Sequence, residues 1–282
     1  GLANHSSLSG AVSAQLLALQ TTKKTTEMRH TTFTALGLAA LWMAGTCQAQ
    51  VDYTDVKAGT VLTGKGIRIG AFIKPVPLPP GEWLVLARHD SRLPIADGDG
   101  SFDSTAQVTF TLKSSNTGNP IYALLVSFAP DSIPVDWNGR FCDTTDQVFS
   151  ISYGPEKYSG TNACASGQWS PRGLRAFLHK APTHSNATVR SDYAALAPYA
   201  AQAPEPFVAI QLNARRDKGR NVDYLAYASA PAHFKRGDAF DKQTQEWTKN
   251  SAQAVIDMLN NTATTMPAFP DAEGMAPTTE SH

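Results

Sequence analysis

Charge is scarce in this chain. Only 17% of its 282 residues are Asp, Glu, Lys or Arg, against roughly 25% in an average soluble protein. The formal net charge is zero, a balance that argues against a nucleic-acid partner, since phosphate binding needs a basic surface. Cysteine is rarer still, with three in the whole chain. No internal repeat is visible. The signatures of several chemistries are absent: no Gly-x-Ser-x-Gly elbow, no His-Glu-x-x-His and no phosphate loop ending in Gly-Lys-Ser/Thr. The apolar run Phe33–Gly45 has 13 residues, short of the roughly 20 that span a membrane.

That short run has a different reading. Met28-Arg29-His30 gives a positive start, the apolar stretch follows, and Cys47-Gln48-Ala49 places small residues where a signal peptidase cuts. Residues 28–49 are therefore expected to be a signal peptide, with 1–27 an upstream non-structural segment. A lipid-modified Cys47 fits poorly, because Ala44 and Thr46 depart from the usual lipid-attachment pattern. An exported body of 50–282 results, with no integral membrane segment after cleavage. Residues 1–49 carry three of the 24 basic residues and one of the 24 acidic ones, so the body has a net charge of −2.

Losing Cys47 leaves Cys142 and Cys164. An even pair in an oxidising compartment reads as one disulfide. It would close a loop of about 20 residues, worth on the order of 3 kcal/mol in the chain-entropy picture. A redox-active pair usually sits two residues apart at a helix start, and this pair does not.

The first half of the body alternates like β-structure. Strands are expected at Val61-Leu62, Ile67–Ile73, Glu82–His89, Gln107–Leu112, Ile121–Phe128 and Val148–Tyr153. Lys74–Gly81 holds four prolines and reads as a rigid connector. Leu174–Leu178 fits a strand or a helical turn, and Pro198 should break any helix over Tyr193–Gln202. Pro206–Asn213 and Asn221–Ser229 form the clearest hairpin, joined through Arg215–Arg220. Over Ala239–Asn260, Phe240, Thr244, Trp247, Ser251, Ala254, Val255, Met258 and Leu259 recur at helical spacing, with Asp238 as N-cap and Asn260-Asn261 as the stop. Strands first and a helix last predict an α+β fold, mainly antiparallel sheet with a long C-terminal amphipathic helix packed on it. The nearest rival is a β-sandwich with an added helix. The single domain is expected over 50–261, and 262–282 reads as a disordered tail.

Several clusters invite chemistry, and each has a plainer explanation. Asp97-Gly98-Asp99-Gly100-Ser101-Phe102-Asp103 spaces oxygens for calcium, yet Phe102 and Val108 stand where the calcium loop needs Gly and Glu, so a turn is expected. Gly64–Gly70 lacks nucleotide-loop spacing. His179 and His184 lie five apart with no third ligand. Ser166 lacks the first glycine of an elbow. The basic tip Arg215–Arg220 could grip an anion, though such tips are normally solvated. Trp83, Trp137, Trp169 and Trp247 could stack on sugars, though tryptophans are usually core. Asn186 and Asn260 match glycosylation acceptors that a short leader of bacterial type makes irrelevant. No metal and no cofactor is expected. The reading that remains is a periplasmic or secreted protein with a binding or envelope-accessory role. The alternative is an exported hydrolase with a scattered site drawing on His89, Asp90 or His233.

Overall fold

The computed structural model describes residues 51–63, 66–70, 72–97, 100–130, 149–153, 161–185, 187–216 and 220–271; within these, 92–106, 149–153, 161–162 and 187–189 are described by backbone alone. In chain order the strands are β1 (Val51–Asp52), β2 (Val61–Thr63), β3 (Ile67–Arg68), β4 (Glu82–Asp97), β5 (Gly100–Ser114), β6 (Ile121–Phe128), β7 (Phe149–Tyr153), β8 (Thr161–Ser170), β9 (Phe207–Arg216) and β10 (Arg220–Ser229). The helices are α1 (Leu174–Lys180), α2 (Ala187–Ala194) and α3 (Ala239–Leu259), with 3-10 turns at Ala181–Thr183 and Ala197–Gln202.

Eight strands make one sheet in the order β2-β4-β5-β6-β10-β9-β8-β7, antiparallel throughout. Two meanders, β4-β5-β6 and β7-β8-β9-β10, meet through their last strands. The α+β fold is confirmed: a mainly antiparallel sheet with the C-terminal helix packed on it, not two stacked sheets.

Strand alternation sends every second side chain to the α3 face. Val108, Phe110 and Leu112 of β5, Leu124, Val126 and Phe128 of β6, and Val222, Tyr224 and Ala226 of β10 are all buried there. The N-terminal segment covers one half of this face through Val56, Ile67, Ile69, Val76 and Leu78. Its path depends on Gly66, whose φ is +87° and whose added Cβ would stand 2.2 Å from the Val76 carbonyl oxygen. Helix α3 covers β8 and β9 on the other half. Asp238 caps it by accepting from the Asp241 amide at 2.8 Å, as expected. Asn261, at φ 67°, ends it, with its amide donating to the Met258 carbonyl at 2.9 Å.

The opposite face carries a second, smaller core. Tyr122, Ala123, Leu125, Phe207 and Tyr227 of the sheet meet Leu174, Leu178, Tyr193, Leu196 and Ala200 of the helical insertion between β8 and β9. Tyr227 donates its hydroxyl to Tyr193 at 2.8 Å.

Three expectations change, and at Leu174 the helical alternative is the one that holds. Ile67–Ile73 is a strand only at Ile67–Arg68, because the chain doubles back and Ile67 exchanges backbone bonds with Val76 at 2.9 and 2.7 Å. Leu174–Lys180 is helix, with its buried residues Leu174 and Leu178 one turn apart. The strand β8 is new: Thr161–Ser170 contains no Val, Ile or Leu. It forms because Ala163 and Ala165 lie under α3, where small side chains let the helix come close. Finally, residues 262–271, read as tail, run against α3. Met266 and Phe269 are 4% and 7% exposed, Phe269 packs edge-on to Trp247 at 5.0 Å, and the Trp247 indole N–H donates to the Pro267 carbonyl at 3.0 Å. Residues 272–282 lie outside the described residues, as do 1–27 and the signal-peptide segment 28–49.

Candidate functional site

The face opposite α3 divides in two. One half is apolar and covered by the helical insertion; the other is polar. Register aligns His89 with Thr109, Thr109 with Ser127, Ser127 with Asp223, Asp223 with Asn213, Asn213 with Cys164 and Cys164 with Ser152. One polar row therefore crosses from β4 to β7. Directly opposed residues in antiparallel strands hold their Cβ atoms about 4.5–5.5 Å apart, so neighbours along the row are within reach of one another. Asn221 of β10 and Arg215 of β9 form the next rung on the same face.

Most of the row is half-buried, so the side chains border solvent while some of their atoms do not. The Thr109 and Ser127 hydroxyls satisfy each other at 2.8 Å. The Gln107 amide reaches Asp223 Oδ2 at 3.5 Å, the limit of a hydrogen bond. Asp223 Oδ1, Asn213 Oδ1 and Asn221 Oδ1 are shut off from water and meet no donor. Burial pushes the Asp223 carboxyl from 3.8 up to about 7, because a charge stripped of water is costly when no partner replaces the water.

The residues singled out in the sequence are distributed elsewhere. Asp90 points to the α3 face and pairs with Arg88, Nε to Oδ1, at 2.8 Å. Arg88 also donates to the Tyr53 carbonyl at 2.9 Å. His89 faces the polar side, where Ser191 Oγ of α2 lies 3.3 and 3.4 Å from its two ring nitrogens. An oxygen nearly equidistant from both nitrogens lies off the lone-pair direction of each, which is not the alignment of a nucleophile and its base. His233 sits exposed in the turn after β10. The fold thus separates Asp90 from His89 and His233 from both. Ser166 is buried on β8, facing Gln211.

Asp97 pairs with Gly100 at the end of the β4–β5 ribbon, and Asp103 pairs with Pro94 three rungs away; Gly98 and Asp99 lie outside the described residues. No three His, Cys, Asp or Glu side chains gather into a metal-holding group among the described residues. His179 is on α1 and exposed, and the His184 carbonyl accepts from Arg190. The basic tip splits: Arg216 donates to the Leu259 carbonyl at the end of α3 at 2.8 Å, while Arg215 is on the polar face. Trp83 is fully buried and donates to the Pro79 carbonyl at 2.9 Å. Trp169 stacks on Phe234 at 5.3 Å. Cys164 is buried on the row. Cys142, Trp137, Gly64-Lys65, Asn186 and 217–219 lie outside the described residues.

A shallow groove beside Pro79, Pro80, Asn116, Pro120 and Phe269 carries no titratable side chain. No helix among the described residues is long and apolar enough to cross a membrane.

Sequence reading missed Asp223, Asn213 and Asn221. The alternation Asn221-Val222-Asp223-Tyr224 announced which side chains share a face. Only the register between strands shows that these three are neighbours.

No family model, no curated protein and no solved structure matches the chain.

Proposed function

We propose that this is an exported protein, periplasmic or secreted, with a binding or envelope-accessory role, and that the polar half of the sheet face is its ligand-bearing surface. The observation that carries the reading is the group of donor-less oxygens on Asp223, Asn213 and Asn221. Buried polar atoms in folded proteins are normally satisfied. Leaving three acceptors unmet on one partly open face costs stability, and a ligand bringing donors would recover it. The export half of the proposal rests on the leader at 28–49 and the cysteine count.

The test is native mass spectrometry of the protein taken from the extracytoplasmic fraction of its own producing cells. A bound small molecule, released on denaturation, supports the reading. A bare polypeptide mass in every preparation, or an uncut chain in the cytosol, overturns it.

The hydrolase alternative has only the proximity of His89 and Ser191 to draw on, a pair not aligned as base and nucleophile in this structure. Labelling with a serine-directed fluorophosphonate distinguishes it: covalent modification at Ser191 would establish a nucleophile there, and an unlabelled protein would remove it.

A further inference from the structure

We infer that the polar row binds its ligand through a primary ammonium group, with Asp223 as counter-ion and the side-chain oxygens of Asn213 and Asn221 as additional acceptors. This rests on the binding role proposed above and names the chemistry of the ligand.

On the row the unmet atoms, Asp223 Oδ1, Asn213 Oδ1 and Asn221 Oδ1, are all oxygens of acceptor type. A carboxylate accepts only, and a neutral hydroxyl or amide turned toward it brings a donor but no charge, so Asp223 in its charged form stays uncompensated by its neutral neighbours. Its other oxygen meets one long contact from a neutral amide. What is missing is therefore a donor, and the group that most lowers the energy of a desolvated carboxylate is a cation within hydrogen-bonding reach. An ammonium group has three N–H donors and one positive charge. That matches one carboxylate oxygen and two amide oxygens on adjacent positions of β10 and β9.

Other ligand classes fit less well. A calcium ion wants six to eight oxygens, several of them charged, and the row offers one carboxylate. A polyol brings donors but leaves the charge uncompensated. Among the described residues, the cations nearby do not fill the place. Arg215 is one rung away and already engaged, Arg216 is committed to α3, and Lys113 lies over the rings of Tyr122 and Tyr199. His89 stands at the far end of the row, three strands from Asp223. The raised pKa of Asp223 agrees with this geometry: without a cation it holds its proton to near neutrality, and an ammonium ligand would displace that proton.

The experiment is calorimetric titration of the exported chain with 1,4-diaminobutane, using 1,4-butanediol as the uncharged probe of the same length. The diamine should bind and the diol should not. Binding should tighten between pH 6 and pH 8 as Asp223 gives up its proton. Asp223→Asn should weaken it at least tenfold, and Asp90→Asn on the other face should leave it unchanged. If Asp223→Asn fails to fold, Asn213→Ala takes its place, with a severalfold loss expected. Equal binding of diol and diamine, undiminished binding in the variants, or no binding of either probe overturns the inference. The two readings fail separately: a natural ligand without an ammonium group, found by mass spectrometry, would sink this inference and leave the binding role standing.

Discussion

Asp223 and Asn213 stand directly opposite each other on β10 and β9, and each holds a side-chain oxygen that is cut off from water and has no donor. The pair sits near the middle of the sheet, beside the join of the two meanders.

Stability should therefore fall with rising pH. The Asp223 carboxyl has an ordinary value of 3.8 and is pushed up to about 7 in the folded chain by burial. Between those values the folded state holds a proton that the unfolded state has released. The contribution is complete below the unfolded value and drains away as pH rises through the folded one. At about 1.4 kcal/mol per pKa unit, the full swing is of the order of a few kcal/mol. Asp223→Asn should flatten this slope and be more stable than the parent above pH 7. Urea midpoints at pH 5 and pH 8 measure it; parallel behaviour of parent and variant would count against the burial of this group.

Under α3 strand β8 presents small buried side chains. Ala165 is fully buried beneath the helix. Ala165→Leu should cost about 1–3 kcal/mol by overpacking, whereas Ser170→Ala at the end of the same strand should cost far less. Chemical denaturation of the two variants compares them.

The segment after α3 holds the helix down. Phe269 touches both Phe240 and Trp247. Phe269→Ala should destabilise by about 3–5 kcal/mol, and Trp247 fluorescence should shift to the red as its ring meets water. A chain ended at Asn261 should show the same shift.

Asp238 accepts from the Asp241 amide at 2.8 Å and from the Lys235 amide at 2.9 Å. Asp238→Ala should cost about 1 kcal/mol, and Asp238→Asn should retain most of that. Thermal melts followed by circular dichroism give the comparison.

Cys142 and Cys164 remain proposed as a disulfide. Denaturation without reductant should expose no reactive thiol in the exported protein. Reduction should lower stability by about 3 kcal/mol. Two thiols found before reduction would remove the staple.

Local periodicity was enough to place several elements. Helix α3 was legible with its cap and its stop because apolar spacing and capping act within one turn. Strand β6 was legible over its whole length because eight consecutive residues, Ile121–Phe128, are apolar save Ser127. The hairpin of β9 and β10 was legible because its strands are neighbours in sequence. The same local reading failed at β8, whose Ala, Ser and Gly carry no strand preference of their own. Burial beneath a helix some 75 residues further along selects them. It failed at Met266 and Phe269 too, where three prolines in the terminal stretch hid two side chains that pack on α3.

The sequence by itself determined which side chains share a face, since a strand's period of two is a property of the backbone. It also determined where the last helix begins and ends. Only the tertiary structure decided that β6 lies beside β10, and with that pairing it set Ser127 against Asp223. Register between distant strands depends on contacts across the whole chain, so no short window of residues can encode it.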